Sequence, residues 1–200
     1  MKVKICGMRR AEDIEFANRV KPDRVGFILT ERFRRDVPPE RVTALREALD
    51  PSIQVVGVFV DEPVDYVVEC VRMGAIDCVQ LHGNEDDAYI LSIKKQIDCP
   101  VVKALVVKGA DDVEYAERCP ADEVLLDGGT GEGRAFNWTL LKGMKRPYHL
   151  AGGLSPENVA EAVRALDPYG VDVSSGVETD GVKDEAKMRA FTEAARNTND

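Results

Sequence analysis

The sequence contains no uncharged run longer than ten residues, whereas a membrane-spanning helix needs about 20. A single-helix membrane span is therefore excluded. The opening Met1-Lys2-Val3-Lys4-Ile5-Cys6-Gly7 has neither a long apolar core nor a cleavage pattern, so it does not read as a secretory signal. A basic excess is also missing. There are 27 Lys+Arg against 36 Asp+Glu, a formal net charge of -9, which argues against a general nucleic-acid binder. The five cysteines (Cys6, Cys70, Cys78, Cys99 and Cys119) are odd in number and form no CxxC pair. A disulfide framework is not indicated, and free thiols in a reducing cytoplasm fit the pattern. The two histidines, His82 and His149, lack metal-ligand spacing, which argues against a zinc site. A G-x-S-x-G elbow is absent, and no GK[ST] closes the glycine cluster at Gly128, Gly129, Gly131 and Gly133.

What is present is a regular alternation. The 200 residues suit one domain over 1–200, and the 44% hydrophobic content is too high for a disordered chain. Short β-branched runs predict buried strands at Val3–Cys6, Arg24–Leu29, Gln54–Val60, Ile76–Leu81, Val101–Leu105, Glu123–Asp127, Tyr148–Ala151 and Val171–Val173. Between them lie helical stripes. Val64, Val67, Val68 and Val71 fall at i, i+3, i+4 and i+7, and Val159, Ala162, Val163 and Leu166 repeat the spacing. Ser155-Pro156-Glu157 reads as a cap with proline at the first helical position. Eight strands and eight helices, about 25 residues per pair, predict a closed (β/α)8 TIM barrel. An open doubly wound sheet is the alternative, but the first turn, Gly7-Met8-Arg9-Arg10, lacks G-x-G-x-x-G.

In such a barrel the chemistry gathers at the C-terminal strand ends. Strand residues two apart share a face, so Lys4 with Cys6, Gln80 with His82, and Asp172 with Ser174 each point the same way. Polar side chains inside a barrel mouth are costly unless they pair or act. Gly152-Gly153 follows strand 7 and Ser174-Ser175-Gly176 follows strand 8, the usual phosphate cradle of the architecture. A lone glycine pair more often serves only a tight turn, but two such turns on adjacent strands favour an anion site. A lone cysteine is usually a small buried hydrophobe, which is how the other four are read. Cys6 differs by its strand-end position. Asp127 could merely cap a turn. His82 is either a pocket residue or a turn histidine, while His149 is expected to pack inside the barrel.

Lys4-Ile5-Cys6-Gly7, Val56–Val60, Gln80-Leu81-His82-Gly83, Leu125-Leu126-Asp127, Gly128-Gly129-Thr130-Gly131, Phe136-Asn137-Trp138, Leu150–Leu154 and Val171–Glu178, followed by Gly181, Lys183 and Asp184, run in order along the chain. Together they resemble the phosphoribosylanthranilate isomerase family of tryptophan biosynthesis, which implies a TIM barrel of the ribulose-phosphate-binding type. The resemblance implies an Amadori rearrangement of N-(5-phosphoribosyl)anthranilate to 1-(2-carboxyphenylamino)-1-deoxyribulose 5-phosphate, with no cofactor and no metal. It implies Asp127 as general acid and Cys6 as general base. An arginine after strand 2 would bind the anthranilate carboxylate. Aligning on Pro39 puts it at Arg35, with Arg34 and then Arg32 as substitutes. Lys4, His82, Gly152, Gly153, Asp172, Ser174, Ser175 and Gly176 complete the expected substrate contacts. The partner is thus a phosphorylated aminosugar, with no nucleic acid and no membrane, and the chain a monomer or homodimer.

Those roles set physical demands. Asp127 is expected to have a raised pKa, and Cys6 a thiolate favoured by Lys4. The pattern departs from the family at Phe33, at Asp36, which could compete for Arg35, and at Asn137, where a helix start is expected. An acidic chain with a dianionic substrate needs a locally positive mouth, expected from Lys4, Arg35, Lys103 and helix N-termini. Glu85-Asp86-Asp87 and Asp111-Asp112 are read as solvated outer faces. The rivals are another phosphate-binding barrel isomerase, or a non-catalytic phosphate-ligand sensor.

Overall fold

The structure is a computed structural model that describes residues 1–31, 35–129 and 138–198. Eight parallel strands close into a barrel in sequence order. They are β1 Lys2–Cys6, β2 Arg24–Ile28, β3 Gln54–Phe59, β4 Cys78–Leu81, β5 Val101–Val106, β6 Glu123–Asp127, β7 Tyr148–Ala151 and β8 Gly170–Val173. β8 pairs back onto β1 with Lys4 opposite Asp172, which closes the ring. Around it run α1 Ala11–Val20, α2 Pro39–Arg46, α3 Val64–Arg72, α4 Asp87–Lys94, α5 Ala110–Arg118, α6 Val159–Leu166 and α7 Glu185–Arg196. No helix among the described residues is long and apolar enough to cross a membrane.

The strand alternation sorts side chains between two apolar regions. Outward residues such as Ile5, Phe27, Leu81, Leu126 and Val171 pack beneath the helices, in one continuous core. Inward residues form a separate cluster of Val56, Cys78, Val102, Ala104, Leu125 and Ala151 that fills the barrel. Burying each Val or Leu of these layers contributes about 1.5–3 kcal/mol. The helical stripes behave as their spacing predicts. In α3, Val67, Val68 and Cys70 are buried while Asp65 and Glu69 face water.

Three features differ from expectation. Seven α-helices, not eight, occur among the described residues; between β6 and β7 the helical structure is a single 3-10 turn at Trp138–Leu141. The glycine-rich segment from Thr130 to Gly133, and Asn137, lie outside the described residues, as do Arg32, Phe33 and Arg34. Second, α6 starts at Val159 with Asn158 as its N-cap. Ser155 and Pro156 belong to a preceding turn, in which Asn158 Oδ1 accepts from the Ser155 N–H at 2.8 Å. Third, a small antiparallel hairpin, β9 Glu178–Thr179 and β10 Val182–Lys183, stands between β8 and α7. Its turn residues Asp180 and Gly181 have φ of +52° and +75°, the left-handed pair that a two-residue hairpin turn requires.

The N-terminal end of the barrel is plugged by charge. Arg24 on β2 reaches across to Glu123 on β6 through two hydrogen bonds of 2.7 and 2.8 Å. His149 is buried, as expected, with its Nε2 2.6 Å from the same carboxylate. Burial opposes ionisation of Glu123, but its hydrogen bonds from Arg24 and His149 outweigh it and hold the carboxyl down at about 2.

Candidate active site

At the opposite end, a cavity of about 350 Å³ opens among the C-terminal strand ends. Cys6, Asp127, Arg35, His82, Gly152, Gly153, Asp172, Ser174, Ser175 and Gly176 all line it, together with Ile28, Val58, Val60, Gln80 and Leu154. The four apolar members and Gln80 were absent from the expected contacts. Strand alternation, which already turns Gln80 the same way as His82, could have found Ile28, Val58 and Val60, because each is an inward position.

Cys6 is the last residue of β1 and is 8% exposed. Its sulfur occupies room left by Gly26 on β2, where an added Cβ would lie 2.8 Å from Sγ. Lys4 is the only expected contact that does not line the cavity wall. It lies buried one pleat below, donating to Asp172 Oδ2 at 2.7 Å. Burial pushes the Cys6 thiol above its ordinary value, with Lys4 pulling down and Asp172 pushing up. The expected activation by Lys4 therefore acts in the right direction but does not win against burial, and Asp172 opposes it further. The other oxygen, Asp172 Oδ1, is buried and has no hydrogen-bond partner among the described residues. Asp172 lines the cavity, so this acceptor is available to a donor group of a ligand.

Asp127 ends β6 on the far side of the mouth. Burial favours its neutral form, but the His82 interaction and the Gly129 N–H outweigh it and hold the carboxyl below the usual range. The raised pKa expected from burial is thus corrected: the carboxyl is lowered. His82 Nε2 lies 3.4 Å from Asp127 Oδ2, and its Nδ1 lies 3.3 Å from Gln80 Nε2. His82 is accordingly a pocket residue rather than a turn histidine. Gly152, at φ +93°, passes so close that an added Cβ would meet Asp127 Oδ1 at 2.6 Å.

Arg35 reaches the wall from the loop after β2. Its Nη1 donates to Ser174 Oγ at 3.0 Å and its Nη2 to Glu178 at 2.9 Å. Asp36 does not hold the guanidinium; its backbone instead bridges to Ile28. Lys103 is corrected too. It is buried, donates to Glu85 at 2.8 Å and to the Gly83 carbonyl at 2.7 Å, and does not line the cavity. Glu85 is correspondingly buried rather than solvated, and accepts from the Asp61 and Gly83 N–H groups as well. This buried pair anchors the loop carrying His82. Of the remaining acidic positions, Asp86 caps α4 through Tyr89 N, and Asp112 accepts from Lys108 and Gly109 at the start of α5.

The arrangement offers one thiol, Cys6, and two carboxyls, Asp127 and Asp172, on different strands of the same mouth, with an apolar wall, a guanidinium and two adjacent small-residue turns. The turns suit a phosphate, and the guanidinium a carboxylate. Comparison with known proteins agrees. The family profile for N-(5'phosphoribosyl)anthranilate (PRA) isomerase matches residues 3–194. An N-(5'-phosphoribosyl)anthranilate isomerase from Endomicrobium trichonymphae is 46% identical over 192 residues, covering 94% of each chain. The crystal structure of the Thermotoga maritima phosphoribosyl anthranilate isomerase superposes with a TM-score of 0.90 at 34% identity, covering 98% of both chains. Another solved isomerase, at TM-score 0.87 and 34% identity over 98% of both chains, is in complex with reduced 1-(o-carboxyphenylamino)-1-deoxyribulose 5-phosphate.

Proposed function

The chain belongs to the N-(5'-phosphoribosyl)anthranilate isomerase family, and from that premise we infer how this pocket performs the isomerisation in tryptophan biosynthesis. The substrate is N-(5'-phosphoribosyl)anthranilate, and the product its 1-amino-1-deoxyribulose isomer. The observation that carries the assignment is the convergence of Cys6 and Asp127 on one cavity that also holds both phosphate-type turns and Arg35.

The backbone N–H groups of the Gly152-Gly153 and Ser174-Ser175-Gly176 turns receive the phosphate. Arg35 receives the anthranilate carboxylate, and Ile28, Val58 and Val60 give the ring an apolar wall. Asp127 delivers a proton to the furanose ring oxygen, and the C1–O bond breaks as the anilino nitrogen forms a Schiff base with C1. Cys6 then takes the proton from C2, leaving an enolamine. That species gains a proton at C1 and loses the C2 hydroxyl proton to become the ketone. Asp172 Oδ1 accepts a hydrogen bond from the substrate. The five thiols, all free, support a reducing cytoplasm as the compartment.

The pocket's own groups hold the proton on the other partner. A thiol above its usual range and a carboxyl below it leave Cys6 neutral and Asp127 ionised at neutral pH. Moving one proton between them gives the reactive pair, so the proton count is already correct. The kcat/KM profile is then flat between the two pKa values and falls outside them.

The test follows the loss of phosphoribosylanthranilate fluorescence, with substrate generated in place from anthranilate and phosphoribosyl pyrophosphate. Rapid decay with the native protein, lost in Asp127→Asn and strongly slowed in Cys6→Ser, is expected. A folded native protein that leaves the fluorescence untouched would sink the assignment.

A further inference from the structure

We propose that Glu178 is a positioning residue that holds Arg35 ready at the pocket wall and thereby sets selectivity for a substrate bearing an aryl carboxylate. The proposal deepens the function above and rests on Arg35 as the carboxylate receptor.

The hairpin between β8 and α7 is what builds this device. Lys183 and Glu178 sit opposite each other in its register, so their side chains emerge on one face. That face is turned to the back of the pocket. The Glu178 and Lys183 side chains are only 6% and 1% exposed, although both are charged. Glu178 divides its carboxylate between two cations: Oε1 accepts from Lys183 Nζ at 2.7 Å, and Oε2 from Arg35 Nη2 at 2.9 Å. Lys183 Nζ also donates to the Ser174 carbonyl at 2.9 Å, while Ser174 Oγ accepts from Arg35 Nη1 and donates to the Cys6 carbonyl at 3.2 Å. The hairpin itself is tied down by Arg9, which donates to the Gly181 carbonyl at 2.7 Å.

The charge count explains why a carboxylate can stand beside an anion receptor. Arg35 with Glu178 alone would present no net charge to the substrate. Lys183 offsets Glu178, so the trio carries one net positive charge, and that charge faces the cavity through Arg35. Two of the five guanidinium N–H donors are engaged from behind, leaving donors for the ligand. An arginine otherwise free to sample many rotamers is thus fixed before binding, which removes an ordering cost from recognition.

The experiment measures inhibition by two reduced product analogues, one made from anthranilate and one from aniline. They differ only in the carboxylate. The native protein should prefer the carboxylated compound. Glu178→Gln should weaken that compound by about tenfold, the effect of losing one charge-assisted contact, and leave the aniline compound unchanged. KM should rise with kcat little altered. Equal weakening of both analogues would mean a merely structural role and would overturn the proposal, as would undiminished preference. Should Glu178→Gln fail to fold because it leaves two buried cations, Glu178→Gln/Lys183→Gln removes that imbalance and is expected to lose the same preference. A native protein indifferent to the carboxylate would overturn the Arg35 assignment, and this proposal with it. A preference shown by the native protein and kept undiminished by the variants overturns this proposal alone.

Discussion

The two ends of the barrel place charged and polar residues at equivalent inward positions of the same strands, and treat them oppositely. β6 supplies Glu123 at its start and Asp127 at its end. At the first end Glu123 is saturated by Arg24 and His149, Arg24 adds Gln54 at 3.0 Å, and Tyr169 packs edge-on to His149 with ring centroids 5.4 Å apart. At the second end Asp127 has a 3.4 Å contact to His82, and Asp172 keeps a buried oxygen unpaired. Charge at the first end is spent on joining strands across the barrel. At the other it is left partly unsatisfied, where a ligand can complete it. An ion pair is weak evidence of function until its remaining hydrogen-bonding capacity has been counted.

The sharpest way to break this contrast is to alter each end alone. Asp127→Asn should lower kcat/KM by about 10²- to 10⁴-fold, the usual worth of a positioned acid, with the thermal midpoint nearly unmoved. Steady-state kinetics and a melting curve on the same sample check both halves. Glu123→Gln should do the reverse. It should cost about 2–3 kcal/mol of stability, below the range for fully buried pairs because Glu123 is a quarter exposed, and leave kcat intact at 25 °C. The sign of its pH dependence is fixed. Glu123 titrates near 2 in the fold and about 4.3 when unfolded, so its contribution is complete above the unfolded value and is lost as pH falls toward 2. Denaturant unfolding between about pH 5 and 2 should therefore be flatter in the variant than in the native protein. The smallest effect is expected from His82→Asn. Removing the hydrogen bond that holds Asp127 down should move the acid limb of kcat/KM to higher pH. An unmoved limb would detach His82 from the acid.

The barrel was legible because its signals are local. β-branched runs and helical stripes place all eight strands within two residues of their positions, and inward alternation brings Cys6, His82, Asp172 and Ser174 to one mouth. What escaped depends on pairing between distant segments. Lys4 looked like an activator of Cys6, but the β1–β8 register sets it directly against Asp172. Lys103 looked like a mouth cation, and Glu85 like a solvated acid, until the fold buried each against the other. Asp127 illustrates the same limit. Burial can be guessed from its motif, whereas the opposing donors are the N–H of Gly129, in the turn that follows it, and His82, which the fold brings from the end of β4. The β9–β10 hairpin did carry a readable signal in Asp180-Gly181, overlooked because its strands are only two residues long.

Neither of the two residues proposed to transfer protons owns the space it occupies. Cys6 leans into the place where a residue at 26 would carry its first carbon, and Asp127 leans into that of residue 152. Both addresses hold glycine, one on the neighbouring strand β2 and the other in the turn that leaves the neighbouring β7. A methyl group at either position would therefore displace a reacting atom without changing the residue that bears it. The inheritable definition of this active site extends to two side chains that must not exist, and a comparison of reactive residues alone would pass a chain in which the chemistry has already been pushed out of line.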